Sequence, residues 1–270
     1  MSERYYISER RELLAAGRAI LTGDEARHLC GVMRAKVGDT VSLFTGDGIE
    51  YSGQIERISR AEVELAILDS RADDREPELD LTMAVALPKG DRQKWLIEKL
   101  TELGVRRYIP LAVERADIKV DDNVLTRLRR QVIEASKQCG RCRLMEILPE
   151  MPRRKIAEIF PFEPVPNAAN HLANNTANDS LKILCHPISD GAFGQVAFVD
   201  LLRHFAKNAN GDPILAKHLL LVIGPVGGFT DAEVQAAADD GWPILDLGRQ
   251  VYRVETAAIC AASLFLHLAK

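Results

Sequence analysis

Two stretches of this 270-residue chain have the composition of a ligand site. In each, an apolar run stops at glycine. Residues 219–223 (LLLVI) end in Gly224-Pro225-Val226-Gly227-Gly228, and residues 243–247 (PILDL) end in Gly248. Without a Cβ, glycine lets backbone approach a ligand closely, and the helix start that follows favours an anionic group. The same loop also makes a tight turn with no ligand at all, so composition leaves both readings open. Past the second loop come Arg253 and Glu255, where a last apolar helix running to Leu268 begins.

Other chemistries find little support. Cys139 and Cys142 form a Cys-x-x-Cys, but zinc needs a second ligand pair, and none lies at suitable spacing. A redox pair belongs at a strand-to-helix turn, whereas this one closes a helix. The six histidines make no His-x-x-x-His pair. There is no phosphate loop ending in Gly-Lys-Ser/Thr, no complete Gly-x-Gly-x-x-Gly after a strand, and no Gly-x-Ser-x-Gly elbow. No metal is therefore expected. The five cysteines are odd in number and scattered, against a disulfide framework.

The elements around the glycine loops are those of an α/β protein. A short apolar run bounded by turn signals reads as a buried strand, and ligands of open α/β sheets lie at the carboxyl ends of strands. Thr230 and Glu233 have capping-box spacing, so a helix should start there. Upstream, strands are expected at 83–87, 107–111 and 181–185. Helices are expected at 92–103, closed by Gly104, and at 123–138, 156–159 and 195–208. This alternation implies a mostly parallel sheet covered by helices. Residues 161–180, rich in Pro, Asn and Ala, read as a surface insertion.

Residues 1–70 differ. Short strands at 40–44, 50–58 and 62–68, turns at 36–39 and 45–48, and one short helix at 22–29 suggest a small barrel. The charged stretch 69–80 reads as a linker, giving domains at 1–72 and 78–270.

The net charge of −4 gives no support to nucleic-acid binding, but its distribution is uneven. Residues 89–155 hold 17 Lys and Arg against 10 Asp and Glu, densest at Arg127, Arg129, Arg130, Lys137, Arg141 and Arg143. Such a strip contacts phosphates or is a solvated helix face. No apolar run reaches the roughly 18 residues that span a bilayer, and the charged start lacks a signal-peptide core; no membrane partner and a cytoplasmic location are expected.

Seven stretches, in matching order along nearly the whole chain, resemble the RsmE family of 16S ribosomal RNA uridine-N3 methyltransferases, of the SPOUT superfamily. They are Arg4-Tyr5-Tyr6; His28-Leu29 through Arg34 to Gly38-Asp39; Phe44-Thr45-Gly46-Asp47-Gly48; Lys89-Gly90-Asp91 through Thr101-Glu102-Leu103-Gly104-Val105; Glu134-Ala135 with Gln138 and Arg141; Ile223 to Phe229; and Leu247 to Ala257. Two positions depart from the family pattern: Val226 stands where relatives carry Glu, and Gln250 where they carry Arg. The two changes remove one charge of each sign.

The resemblance implies a small N-terminal PUA-like β-barrel that binds RNA and a C-terminal SPOUT α/β domain with a trefoil knot. It implies S-adenosylmethionine as cofactor, held by Leu184, His186, Ile223, Gly224, Pro225, Gly228, Leu247, Gly248, Val251 and Thr256. It also implies a homodimer acting on 16S ribosomal RNA or the small ribosomal subunit. Arg4, His28, Arg34, Lys89 and Arg141 are the expected RNA contacts. Methylation at uridine N3 displaces a proton and spreads negative charge to the flanking oxygens, which a guanidinium would stabilise; Arg253 is the candidate. Its other role would be a phosphate or dimer contact. Glu255 either caps its helix or orients Arg253 or the nucleotide. Two competing functions keep the same fold: an RNA-binding assembly factor without turnover, and a methyltransferase for another nucleotide.

Overall fold

A computed structural model describes residues 4–8, 14, 16–73, 75–159, 180–187, 196–197 and 218–268. Its contacts divide the chain into two units. One comprises residues 1–76 with 132–144; the other comprises 77–131 with 145–270.

The first unit is a five-stranded sheet in the order β1-β3-β4-β5-β2. Its strands are β1 (Arg4–Tyr6), β2 (Arg18–Thr22), β3 (Thr40–Phe44), β4 (Ile49–Ile58) and β5 (Glu62–Ala72). All pairs are antiparallel except β1 with β3. Tyr5 and Ile7, in and just beyond one edge strand, share a core cluster with Ala19 and Leu21 from the other edge strand. The sheet therefore curls round its own interior. Among the described residues β1 and β2 do not pair, so the expected barrel is not closed by hydrogen bonds. Strand β5 runs past the expected start of the linker because its pairing with β4 continues to Ile49 opposite Ala72, where Arg71 also forms an ion pair with Glu50. The helix expected at 22–29 is a single turn, α1 (Gly23–Arg27), continued as a π-turn over His28–Val32.

The second unit carries a parallel sheet in the order β11-β13-β10-β12-β6-β7-β8, with β9 also paired to β7. Along the chain, β6 (Asp80–Val85) leads to helix α2 (Arg92–Leu103), then β7 (Arg107–Ala112) and helix α3 (Asp122–Cys139). Two short strands, β8 (Glu146–Ile147) and β9 (Met151–Pro152), precede helix α4 (Arg153–Ile159). Then come β10 (Ser180–Cys185), β11 (Val196–Ala197), β12 (His218–Ile223), helix α5 (Asp231–Asp239), β13 (Ile244–Asp246) and helix α6 (Val254–Leu268).

Local chemistry sets these boundaries. Gly104 closes α2 at φ 94°, a left-handed conformation that penalises a Cβ. The Thr230–Glu233 capping box is formed at α5: the Glu233 amide donates to Thr230 Oγ1 at 3.3 Å, and the Thr230 amide donates to Glu233 Oε2 at 2.8 Å. Strand β12 is central and buried on both faces, which is why it reads as an unbroken apolar run rather than an alternating one. The helix expected at 195–208 lies outside the described residues, except that Val196 and Ala197 form the short strand β11, paired with β13. The insertion expected at 161–180 also lies outside them, apart from Ser180, which begins β10. Among the described residues no helix is long and apolar enough to cross a membrane.

Candidate functional site

Three parallel strands, β10, β12 and β13, end side by side in the second unit, and their C-terminal loops surround one cavity of about 260 Å³. That is near the low end of small-molecule sites, which run from about 300 to 1,000 Å³. From β10 come Cys185, His186 and Pro187; from β12, Ile223 to Phe229; from β13, Asp246, Leu247 and Gln250 to Tyr252. Val254 and Ala257, in the first turn of α6, complete the wall.

Register explains the convergence. Leu184 pairs with Val222 on one side and Ile244 on the other, so the three strands reach the same sheet edge together. The His186 amide donates to the Leu245 carbonyl at 2.9 Å and holds two loop bases together. In the glycine loop, the Gly228 amide donates to the Pro225 carbonyl at 2.9 Å, and Gly228 adopts φ 68°. Gly224 is needed for space, not for its dihedral angles. A Cβ there would lie 2.9 Å from Phe229 Cε2 and 3.0 Å from Cδ2, and Phe229 is buried.

Of the ten residues expected to hold the cofactor, His186, Ile223, Gly224, Pro225, Gly228, Leu247 and Val251 line this cavity. Leu184, Gly248 and Thr256 do not. Leu184 is fully buried in the sheet core one residue before the wall starts. Gly248 turns the β13 loop, donating its amide to Asp246 Oδ1 at 3.0 Å. Thr256 sits on α6 between the two wall residues Val254 and Ala257.

Arg253 and Glu255 flank Val254 but differ in environment. Arg253 is exposed, and its carbonyl accepts the Ala257 amide at 2.8 Å as α6 begins. Glu255 is only 4% exposed and does not line the cavity. Its Oε1 lies 3.9 Å from the Arg92 guanidinium on α2, and its Oε2 is buried without a hydrogen-bond partner among the described residues. Arg253 thus lies between two lining residues, Tyr252 and Val254, without lining the cavity itself, and Glu255 is turned towards Arg92 on α2.

The expected RNA contacts also separate. Arg34 is exposed, alone among described non-glycine residues in having positive φ (54°), and exposed Val32, Met33 and Val37 flank it. His28 is half-buried, its ring tilted against Tyr5. Lys89 is exposed and pairs with Asp117 at 2.8 Å. Arg4 and Arg141 differ from these in that their guanidinium groups have partners inside the first unit. Arg4 Nε lies 3.2 Å from Glu50, and Arg4 also donates to Cys142 Sγ at 2.7 Å. Arg141, 6% exposed, holds Glu76 through two bonds of 2.7 and 2.9 Å. Much of the basic strip is spent likewise: Lys137 pairs with Glu25 at 2.9 Å, and Arg127 donates to Gln93 at 2.5 Å.

Some site residues had no sequence signal. Arg115, after β7, donates to the Gly227 carbonyl at 2.9 Å from 112 residues away. Beside it, the Glu114 amide donates to Glu233 Oε1 at 3.1 Å, so the capping-box carboxylate also anchors this loop. Asp246 ends a buried strand and faces the cavity; only its place immediately before Leu247-Gly248 hinted at that. Burial pushes the pKa of His186 below its ordinary value, against the pull of Asp231 and Asp246, so its imidazole is neutral at pH 7. Burial also pushes the Cys185 thiol up to about 12, which keeps it from acting as a nucleophile.

A parallel α/β sheet whose strand ends enclose a cavity, in a chain that also carries a curled β-sheet unit, defines a two-part ligand-binding protein with its site in the second part. A family model described as an RNA methyltransferase domain matches residues 75–266, and one described as an RNA methyltransferase PUA domain matches residues 21–68. The chain belongs to this RNA methyltransferase family. It is similar to the ribosomal RNA small subunit methyltransferase E of Bacillus subtilis, 26% identical over 262 residues, covering 97% of this chain and 94% of the relative. The protein of the same name from Synechocystis is 27% identical over 242 residues, covering 89% and 70%. Among solved structures it is similar to a proposed methyltransferase from Legionella pneumophila in complex with the bound cofactor SAM. The identity is 27%, the TM-score 0.78, and the coverage 99% of this chain and 98% of that one. The Neisseria gonorrhoeae methyltransferase E bound to S-adenosyl methionine has a TM-score of 0.74 at 24% identity, covering 99% and 98%, and shares the fold.

Proposed function

We propose that this protein transfers a methyl group from S-adenosylmethionine to N3 of a uridine in 16S ribosomal RNA of the small subunit. The observation that carries the proposal is the cavity at the joined ends of β10, β12 and β13, set within the matched methyltransferase domain. The residues present fit the cofactor. Gly228, where a Cβ would meet nothing within 4 Å, leaves backbone open to it, and Ile223, Leu247, Val254 and Ala257 offer apolar wall to an adenine ring. Among the described residues, His186 Nδ1 is buried without a hydrogen-bond partner. The trefoil knot implied by the resemblance agrees with the adjacency of β10, β12 and β13.

When bound, S-adenosylmethionine supplies an electrophilic methyl on a sulfonium. The chain's main task is to hold donor and acceptor aligned, which alone contributes several kcal/mol, of the order of 7–11 in the best-oriented reactions. Uridine N3 lies on the Watson–Crick edge, so the acceptor must be unpaired to reach the site. As the new N–CH₃ bond forms and the S–CH₃ bond breaks, the N3 proton passes to solvent. Charge gathers on the flanking base oxygens. Arg253, exposed beside the cavity and free of any carboxylate partner among the described residues, is positioned to stabilise that charge. Glu255 acts one step removed, through Arg92 and the start of α6.

We place RNA contact on Arg34, Lys89, Arg115 and the exposed Arg130, and we place the protein in the cytoplasm as a homodimer. Exposed Trp95 on α2 and Leu264 on α6, two helices that pack together, give support to the dimer. Val226 and Gln250, the two departures from the family pattern, both line the cavity, so their effect falls on the cofactor pocket itself. Calorimetric titration with S-adenosylmethionine, followed by a methylation assay on small-subunit RNA, tests the proposal. Absence of cofactor binding would refute it.

A further inference from the structure

Among the described residues that line the cavity, Asp246 is the one carboxylic acid. Its Oδ1 accepts the Gly248 amide at 3.0 Å, and no cation pairs with it among the described residues. The other lining residues are apolar or neutral; Val226 and Gln250 add no charge, and exposed Arg253 is outside the lining set. A half-buried carboxylate with no cation partner among the described residues is costly unless a ligand brings the opposite charge. We infer that Asp246 is a specificity-determining residue for the charge of the cofactor. It favours the sulfonium-bearing donor, of net charge +1, over the demethylated thioether product, which is a neutral zwitterion.

This inference rests on the cavity being the S-adenosylmethionine site. Reaction removes the sulfonium charge, so the attraction of Asp246 is present for the donor and absent for the spent product. Because His186 stays neutral at pH 7, it does not cancel that attraction. A cavity of 260 Å³ is about 8 Å across if taken as a sphere, so a cation within it lies at most about that far from its wall. At that separation and an effective dielectric of about 20, opposite unit charges change a binding constant roughly thirty-fold; the open mouth adds screening, and about ten-fold is expected.

Asp246→Asn removes the charge while keeping an oxygen for the Gly248 amide; Asp246→Glu keeps the charge. Calorimetry with three ligands tests the idea: S-adenosylmethionine, S-adenosylhomocysteine, and sinefungin, whose amine replaces the sulfonium with another cation. The expected result is that Asp246→Asn weakens S-adenosylmethionine and sinefungin about ten-fold and S-adenosylhomocysteine hardly at all, while Asp246→Glu preserves the wild-type ratio. Equal weakening of all three ligands would overturn the proposal, because the carboxylate would then be serving a hydrogen bond common to them. No change in any would overturn it too. If wild-type protein binds none of the three, the reading of the cavity itself fails, and that outcome is distinct from both. A thermal melt of Asp246→Asn separates loss of charge from loss of fold.

Discussion

Gly224→Ala is the sharpest test of how the glycine loop makes room. Gly224 does not have positive φ, so alanine adds one methyl group and no backbone strain. That methyl would sit 2.9, 3.0 and 3.2 Å from three atoms of the Phe229 ring. The ring has little freedom to yield: it is 4% exposed and packs in one cluster with Leu184, Val222, Val234 and Ile244. Overpacking of this kind costs about 1–3 kcal/mol. In a unit of this size that lowers Tm by roughly 2–4 °C per kcal/mol. The displaced ring also faces the cavity, so S-adenosylmethionine affinity should fall. Trimming the obstacle with Phe229→Leu should relieve the clash, and the double variant should recover about 1 kcal/mol relative to the sum of the single losses. Differential scanning fluorimetry and calorimetry read the two effects. A Gly224→Ala protein with unchanged Tm and cofactor affinity would refute the reasoning, as would losses for the two single variants that simply add.

Other consequences follow for residues outside the loop. Arg141→Ala leaves Glu76 as an unpaired, largely buried carboxylate and should cost about 3–5 kcal/mol in a denaturant melt. Arg34→Ala should leave the melt within about 0.5 kcal/mol, while weakening RNA in a filter-binding assay. Asp73 is held down to about 2: burial raises its pKa, but hydrogen bonds from Arg75 and the Cys142 amide outweigh that. A depressed folded pKa stabilises above the unfolded value of 3.8 and is lost as pH falls towards 2. Acid titration of the melt should therefore show wild type losing about 2 kcal/mol more than Asp73→Asn over that window. Arg253→Gln should lower kcat by about 10²-fold or more while leaving S-adenosylmethionine affinity unchanged. Weakened cofactor binding in that variant would move Arg253 into the cofactor site instead.

Local elements were legible wherever side-chain chemistry is local. Helix α2 begins and ends at the expected Arg92 and Leu103 because a glycine closes it, and α5 starts at its capping box because Thr230 and Glu233 are three residues apart. Both glycine loops were legible as a site because buried strands and their terminal turns are short-range patterns. Contacts distant in sequence were not legible. Arg141 and Arg4 looked like surface cations because their partners Glu76 and Glu50 lie 65 and 46 positions away. Arg115 reaches Gly227 across the sheet, and nothing in its neighbourhood of the chain points there. Glu255 stood beside Arg253 in the chain, but successive helical positions point in different directions: Val254 and Ala257 face the cavity, whereas Glu255 faces Arg92. Residues 132–144 group with the N-terminal strands, where Lys137 pairs with Glu25 across 112 positions of chain, a contact no local pattern encodes.

The central claim concerns one reaction at one atom. Incubation of the purified protein with labelled S-adenosylmethionine and small ribosomal subunits lacking the modification, followed by nucleoside mass spectrometry, measures it directly. The expected result is 3-methyluridine at a single site in 16S RNA, formed together with S-adenosylhomocysteine. Cofactor binding without label transfer, or label on a different nucleoside, would contradict it.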